Sequence, residues 1–316
     1  MLTYETVPFL MDDNESVLNC LLRHDVEHPN SCRSGICQSC LTKADPALVE
    51  SSWQEGLSDT LKKQGYFLAC MAYPKRDIKL ENLDRDACNV TAVIFSIDKL
   101  SPNVVQLKLL TDRLEEWIPG QFLNLTTPTN ITRSYSIANI SSDDGYIELH
   151  IKLYAGGAMS TWIEKNAAIN RQVKIRGSFG KCFYYNPQKL TFDMLLAGTG
   201  TGLAPLIAIV KSALVQGHEG QITLVHGGRV DQDIYYRSVI EELGRQHNNL
   251  EYVPCVLKSD GCFPENTIEA QMLDRLIHPA VTHLYVCGPK ETTAKLKLNA
   301  FIAGVPSNQI LSDEFI

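Results

Sequence analysis

The sequence predicts a multi-domain protein that joins an α+β segment, a β-barrel and an α/β sheet. Its 316 residues exceed the roughly 150 that one domain commonly takes, so more than one core can be buried. From Val90 to about Gly180 the texture is a series of strand-like runs, VTAVIFSI, VVQLKLL, QFLNLTT, YIELHIKLY and VKIRG, separated by turn residues. That is the pattern of an antiparallel barrel or sandwich. From Thr191 onward, apolar strand-like runs (MLLAG, ITLVHGG, LEYVPCV, HLYVCG) alternate with helix-like ones (LAPLIAIVKSAL, YYRSVIEELGR), as βαβ units around a parallel sheet do.

The first segment is shorter in rhythm. It holds a strand-like Leu2 to Val7, a helix-like Ser16 to His24, a cysteine-rich loop and an apolar stretch from Tyr66 to Ala72. The polar run DRDACN at 84–89 reads as a linker. Domains are therefore expected at 1–86, 89–187 and 190–316. In the middle segment one helix-like insertion, Ser160 to Asn166, follows Gly156 and Gly157.

Composition excludes several classes of function. An apolar fraction of 44% and a charged fraction of 21% are ordinary for a soluble protein, and no apolar stretch reaches the roughly 18 residues of a membrane span. Met1 to Glu15 lacks the basic and long apolar regions of a secretory signal, so a cytoplasmic protein without membrane insertion is expected. The net charge is −7, and residues 1–87 carry 9 Lys and Arg against 14 Asp and Glu. Such a face disfavours nucleic acid and suits steering toward a basic protein partner. Ten cysteines in a chain without export signals point to metal or redox chemistry rather than disulfides.

Cys32, Cys37 and Cys40 have the spacing C-x4-C-x2-C, and Cys70 follows after 29 further residues. Two sulfide-bridged irons need soft thiolates from one tight loop and a distant fourth, and Arg33 to Ile36 supply backbone N–H donors for the sulfurs. A zinc site is the alternative, although zinc sites favour two short C-x2-C pairs. The segment CRSGICQSC with its downstream LAC resembles the plant-type 2Fe-2S ferredoxins. The resemblance implies a β-grasp fold for residues 1–86, with Cys32, Cys37, Cys40 and Cys70 as cluster ligands. Gln38 stands where many of those relatives have glycine.

Arg133, Ser134, Tyr135 and Ser136 form R-S-Y-S in a strand-like stretch, where period-2 geometry puts Arg133 and Tyr135 on one face. A guanidinium for phosphate and an aromatic ring to lie on an isoalloxazine would then share a surface; an ordinary surface strand is the alternative. Gly156, Gly157 and Ser160 open the helix-like run, where a pyrophosphate could sit on backbone N–H groups or Ser160 could simply cap the helix. In order, R-S-Y-S, GGAMS and RGSFG resemble the flavin domain of the ferredoxin–NADP reductase superfamily. That resemblance implies FAD in an antiparallel β-barrel, with Arg133 and Ser160 on phosphate and Tyr135 and Ser136 at the flavin ring.

In the last segment Gly198, Gly200 and Gly202 make a glycine-rich turn ahead of a helix-like run, a place for phosphate, though G-x-G-x-G departs from the dinucleotide fingerprint G-x-G-x-x-G. GTGTGLAP, HGGR at 226–229 and VCGP at 286–289 resemble the nicotinamide domain of the same superfamily. The resemblance implies a parallel-sheet nucleotide-binding domain in which Thr199, Gly200 and Thr201 face the nicotinamide nucleotide and Cys287 lies beside the reacting carbon. It also implies Glu314 and Phe315 near the flavin, with Cys287, Ser136 and Glu314 as the catalytic set. No acid closes the strand ITLVH and Arg229 could meet a 2′-phosphate, yet relatives with a similar GxR favour NADH, which is expected here with NADPH possible. Cys20, Cys88, Cys182, Cys255 and Cys262 lack ligand spacing and read as packing residues.

Nicotinamides give up two electrons together and a 2Fe-2S centre takes one, so a flavin must stand between them. The whole chain resembles reductase components of bacterial multicomponent oxygenases. That resemblance implies electron flow from NADH through FAD to the cluster and on to a redox acceptor protein such as a terminal oxygenase component. A deoxysugar dehydrase as acceptor, a stand-alone NADH:flavin or ferric reductase, and a zinc-stapled binding module are the competing readings.

Overall fold

The computed structural model describes residues 1–57, 59–81, 89–112, 117–140, 144–186 and 191–315. All of the linker expected at 84–89 but Asn89, Cys88 included, and the boundary expected at 187–190 lie outside the described residues. The chain divides into two compact units, one of residues 1–91 with 124–134 and 173–176, the other of 92–123, 135–172 and 177–316. The segment expected as a middle domain is thus divided between them.

The N-terminal segment is built around a small mixed sheet. β1 (Leu2–Tyr4) pairs antiparallel with β2 (Val7–Phe9) and parallel with β5 (Ile78–Lys79). Helix α1 (Val17–Arg23) begins at Ser16, whose hydroxyl accepts from the Asn19 N–H at 3.2 Å, and its buried face of Val17, Leu18, Cys20 and Leu21 packs with Leu2, Phe67 and Leu68. β3 (Leu41–Lys43) and β4 (Tyr66–Leu68) form a second ladder, with a short helix α2 (Asp59–Lys63) between them. This ladder starts one residue after Cys40 and ends two before Cys70, and the Ala69 N–H donates to the Cys40 carbonyl at 3.0 Å. The distant fourth cysteine is thereby carried to the third.

Six strands follow the expected β-rich pattern: β6 (Val90–Ser101), β7 (Val104–Leu110), β8 (Phe122–Thr126), β9 (Thr132–Ser136), β10 (Ile147–Lys152) and β11 (Gln172–Phe179). Their order is β10-β7-β6-β11-β8-β9, and an antiparallel bridge between Ile137, just past β9, and Leu149 of β10 closes the ring. Helix α3 (Ala158–Lys165) sits between β10 and β11 and starts two residues before the expected Ser160, because Gly157 is its N-cap. The Ser160 hydroxyl instead accepts from the Tyr154 N–H at 2.9 Å.

The remainder is a parallel sheet of β12 (Asp193–Thr199), β13 (Ile222–Val230), β14 (Leu250–Lys258), β15 (Thr282–Pro289) and β16 (Ile310–Phe315), in the order β14-β13-β12-β15-β16. Helices α4 (Leu203–Val215), α5 (Arg237–Gln246), α6 (Ile268–Asp274) and α7 (Lys290–Ile302) connect them. The order reverses at β12, so the carboxyl ends of β12 and β15 open the crevice where such sheets bind ligands. Among the described residues no helix is long and apolar enough to cross a membrane.

β10 is buried on both faces through Ile151, and its polar residues meet partners from the parallel-sheet half. His150 Nε2 lies 2.8 Å from Glu148 Oε1, His150 Nδ1 lies 3.0 Å from the Tyr235 hydroxyl, and the Tyr236 hydroxyl donates to Glu148 Oε1 at 2.9 Å. A carboxylate only accepts, so Nε2 donates to it and Nδ1 is left to accept from Tyr235. Removing that donor strands a buried acceptor, which costs about 1–3 kcal/mol. Tyr235→Phe is expected to lower stability by that amount in urea unfolding, with the secondary structure unchanged by circular dichroism.

Candidate functional site

The four cysteines of the N-terminal segment sort into two pairs. The Cys32 N–H donates to Cys37 Sγ at 3.4 Å and the Cys37 N–H to Cys32 Sγ at 3.3 Å, while the Cys70 N–H donates to Cys40 Sγ at 3.5 Å. The Ser34 N–H adds a further donor to Cys32 Sγ at 3.4 Å. Backbone N–H groups can turn onto sulfur because Arg33, Gly35 and Gln38 are left-handed, with φ of 54°, 81° and 54°. The left-handed backbone at Gln38 explains why glycine suits this place. Here Gln38 is held by its own Nε2 donating to the Gly56 carbonyl at 3.0 Å and by Arg176 Nη2 donating to its carbonyl at 2.5 Å.

Two pairs of thiols fit two irons with two thiolates each. A single tetrahedral ion would instead gather all four sulfurs around one point. Within each pair one thiol is held down by its neighbour. The hydrogen bond from Cys37 holds Cys32 down to about 4, and that from Cys40 lowers Cys70. The other two thiols give up protons when metal binds.

On β9 the R-S-Y-S residues separate by face. The Arg133 side chain is exposed, with Nη1 donating to the Thr132 carbonyl at 2.7 Å, and Tyr135 is half-buried. The Ser134 hydroxyl donates to Asn124 Oδ1 at 2.8 Å, and the buried Ser136 hydrogen-bonds the Asp313 carboxyl. Gly156 and Gly157 lead into α3, whose first N–H groups have no side-chain cap. A pyrophosphate fits that uncapped end.

At the crevice, Thr199 ends β12 and Gly200–Gly202 form a single tight turn before α4. Gly200 has φ 53°. At Gly202 a Cβ would lie 2.2 Å from the Cys287 carbonyl oxygen, so only glycine lets this turn rest on β15. Cys287 is buried with its Sγ 3.6 Å from Cys182 Sγ. Burial and the Cys182 thiol push Cys287 well up, so it stays a neutral thiol, a compact wall for a flat ring. Arg229 is exposed near the end of β13, and its N–H donates to Asp233 Oδ2 at 2.9 Å.

The expected terminal carboxylate is Glu314, but the structure brings its neighbour to the site. Cys287 is the register partner of Asp313, and the next position, Glu314, turns its carboxylate to Lys297 Nζ at 3.4 Å. Phe315 is half-buried at the end of β16. Burial, with the negative charge of Glu314 adding to it, pushes Asp313 up to about 7, while the Ser136 bond opposes the rise. Asn124, Cys182 and Asp313 had no signal in the sequence, apart from the last two lying beside RGSFG and Glu314.

Residues 4–75 match the 2Fe-2S iron-sulfur cluster binding domain, 91–184 the oxidoreductase FAD-binding domain and 195–296 the oxidoreductase NAD-binding domain. The chain is 28% identical over 288 residues to the toluate 1,2-dioxygenase electron transfer component of Pseudomonas putida, covering 87% of this chain and 84% of that one. It is also 28% identical over 300 residues to the phenol 2-monooxygenase reductase component DmpP of Pseudomonas sp. strain CF600, covering 88% and 83%. The crystal structure of the Amycolatopsis cytochrome P450 reductase GcoB shares its fold, with a TM-score of 0.71 at 22% identity over 99% of this chain and 98% of that one. Cys70→Ser is expected to leave a yellow protein that has lost most of its iron and acid-labile sulfide while retaining flavin, by metal, sulfide and flavin assay.

Proposed function

This chain belongs to the ferredoxin–NADP reductase superfamily, carrying cluster, FAD and NAD domains in that order, and we propose that it is the reductase component of a cytoplasmic multicomponent oxygenase. The observation that carries this reading is the sorting of Cys32 with Cys37 and Cys40 with Cys70, a place for a one-electron carrier in a chain that also binds NAD and FAD. The nicotinamide supplies two electrons as hydride, the flavin exchanges them singly or in pairs, and the cluster takes one at a time. Relatives named as electron transfer and reductase components of a dioxygenase and a monooxygenase support a terminal oxygenase component as the acceptor.

The residues divide the work. Thr199, Gly200 and Thr201 hold the nicotinamide nucleotide at the crevice, and Cys287 and Cys182 close it to water behind the ring. Arg133 and the uncapped end of α3 take the FAD phosphates, with Tyr135 and Ser136 at the flavin ring. Burial, against the opposing pull of Ser136, makes Asp313, rather than Glu314, the carboxyl that would hold a proton where the flavin and nicotinamide would meet. Asp231 and Asp233 follow Arg229 and would repel a 2′-phosphate, which favours NADH.

Anaerobic titration of the fully loaded protein tests the reading: NADH is expected to bleach both the flavin and the cluster bands, and NADPH to do so more slowly. If NADH bleached neither band, the reading would fail. A second expectation concerns pH. Between the ordinary Asp value of 3.8 and about 7 the folded protein holds a proton at Asp313 that the unfolded chain has lost, so this group makes stability fall as pH rises through that window and level off above it. Asp313→Asn is expected to flatten that part of the profile in urea midpoints measured against pH; superimposable wild-type and variant profiles would remove Asp313 as a titrating group.

A further inference from the structure

We propose that Asn124 is a positioning residue that fixes the cluster loop on the flavin-binding strand and so governs the passage of electrons from flavin to cluster. The inference rests on the functional reading above and adds a residue to it. Asn124 lies on β8 and is 2% exposed. Its Nδ2 donates to the carbonyl of Cys37, a cluster ligand, at 2.8 Å, and its Oδ1 accepts from the Ser134 hydroxyl at 2.8 Å. Ser134 stands next to Tyr135 in the R-S-Y-S strand. Cys37, Asn124 and Ser134 all belong to one compact unit of the fold.

The amide has one orientation that satisfies both neighbours. A carbonyl only accepts, so Cys37 demands the NH2 end, and the Ser134 hydroxyl is then the donor that Oδ1 requires. Aspartate would keep the acceptor for Ser134 but place an oxygen against the Cys37 carbonyl. Arg176, from β11 of the same unit, adds a parallel hold on the next residue through the Gln38 carbonyl. The loop is thus gripped at two successive carbonyls, one by a neutral amide and one by a cation. Bolted in this way, the loop presents its cluster to the flavin strand in a single arrangement, and a transfer step gains from such fixed positioning.

The experiment compares the holoenzyme with its Asn124→Asp and Ser134→Ala variants, using two readouts. Rapid mixing with NADH follows the flavin and cluster bands separately, and hydrogen exchange without NADH follows the amides of residues 32–40. Losing one buried hydrogen bond changes a population about tenfold. In Asn124→Asp, cluster reduction is expected to slow by about that factor with flavin bleaching unchanged, and the loop amides to exchange about tenfold faster. Ser134→Ala, which frees the amide to turn, is expected to raise loop exchange by a smaller factor. Unchanged loop exchange in both variants overturns the proposal, as does equal slowing of the flavin and cluster steps in Asn124→Asp. Should the wild-type protein pass no electrons from NADH, the functional reading fails by itself, and the exchange measurement still decides whether Asn124 anchors the loop.

Discussion

The constraint on which the rest of the structure depends is that the four sulfurs proposed as ligands, spread over residues 32 to 70, must reach two irons. Three of them come from one loop that must turn tightly enough to aim N–H groups at sulfur, which only left-handed residues permit. The fourth is brought in by the β3–β4 ladder, extended by the hydrogen bond from Ala69 to Cys40, which sets β3 one residue and β4 two residues from a proposed ligand. The small mixed sheet and α1 supply the core that keeps this ladder in register. A 2Fe-2S site therefore makes demands on secondary structure far beyond its own nine-residue loop.

A second constraint acts at the crevice of the parallel sheet. Two flat rings can approach only where backbone is close and side chains are small. Gly202 against the Cys287 carbonyl and the buried, compact side chains of Cys287 and Cys182 meet that demand. Asp313 stands in register with Cys287, and its carboxyl is buried and pushed up by that burial. Burying a carboxyl is unfavourable for its charged form, and here burial outweighs the opposing pull of the Ser136 hydroxyl. The Glu148, His150, Tyr235 and Tyr236 cluster solves a different problem: β10 has no solvent face, so its polar side chains must find partners across the core.

Strand β9 gathers these demands into five residues. Its alternation sends Ser134 and Ser136 to one side and Arg133 and Tyr135 to the other, so the hydroxyls and the groups proposed to bind flavin are separated by the period of the strand. Asn124 reads the first hydroxyl and Asp313 the second. No special residue type marks either partner, since an asparagine in QFLNLTT and an aspartate in a C-terminal tail are both common on protein surfaces.

What the sequence alone determined was local: the ligand spacing of Cys32, Cys37, Cys40 and Cys70, the alternation that made R-S-Y-S a strand, the glycine turn before α4, and the order of the three parts. Each of these follows from the reach of a few residues or the period of one element. Only the tertiary structure decided that Gly157 and not Ser160 caps α3, that Asp313 and not Glu314 is in register with Cys287, and that Asn124 lies against Cys37 and Cys182 against Cys287. The physical reason is register. A strand exposes opposite faces at successive positions, and which face turns inward at β16 is set by its pairing with β15, so a shift of one residue would exchange Asp313 for Glu314.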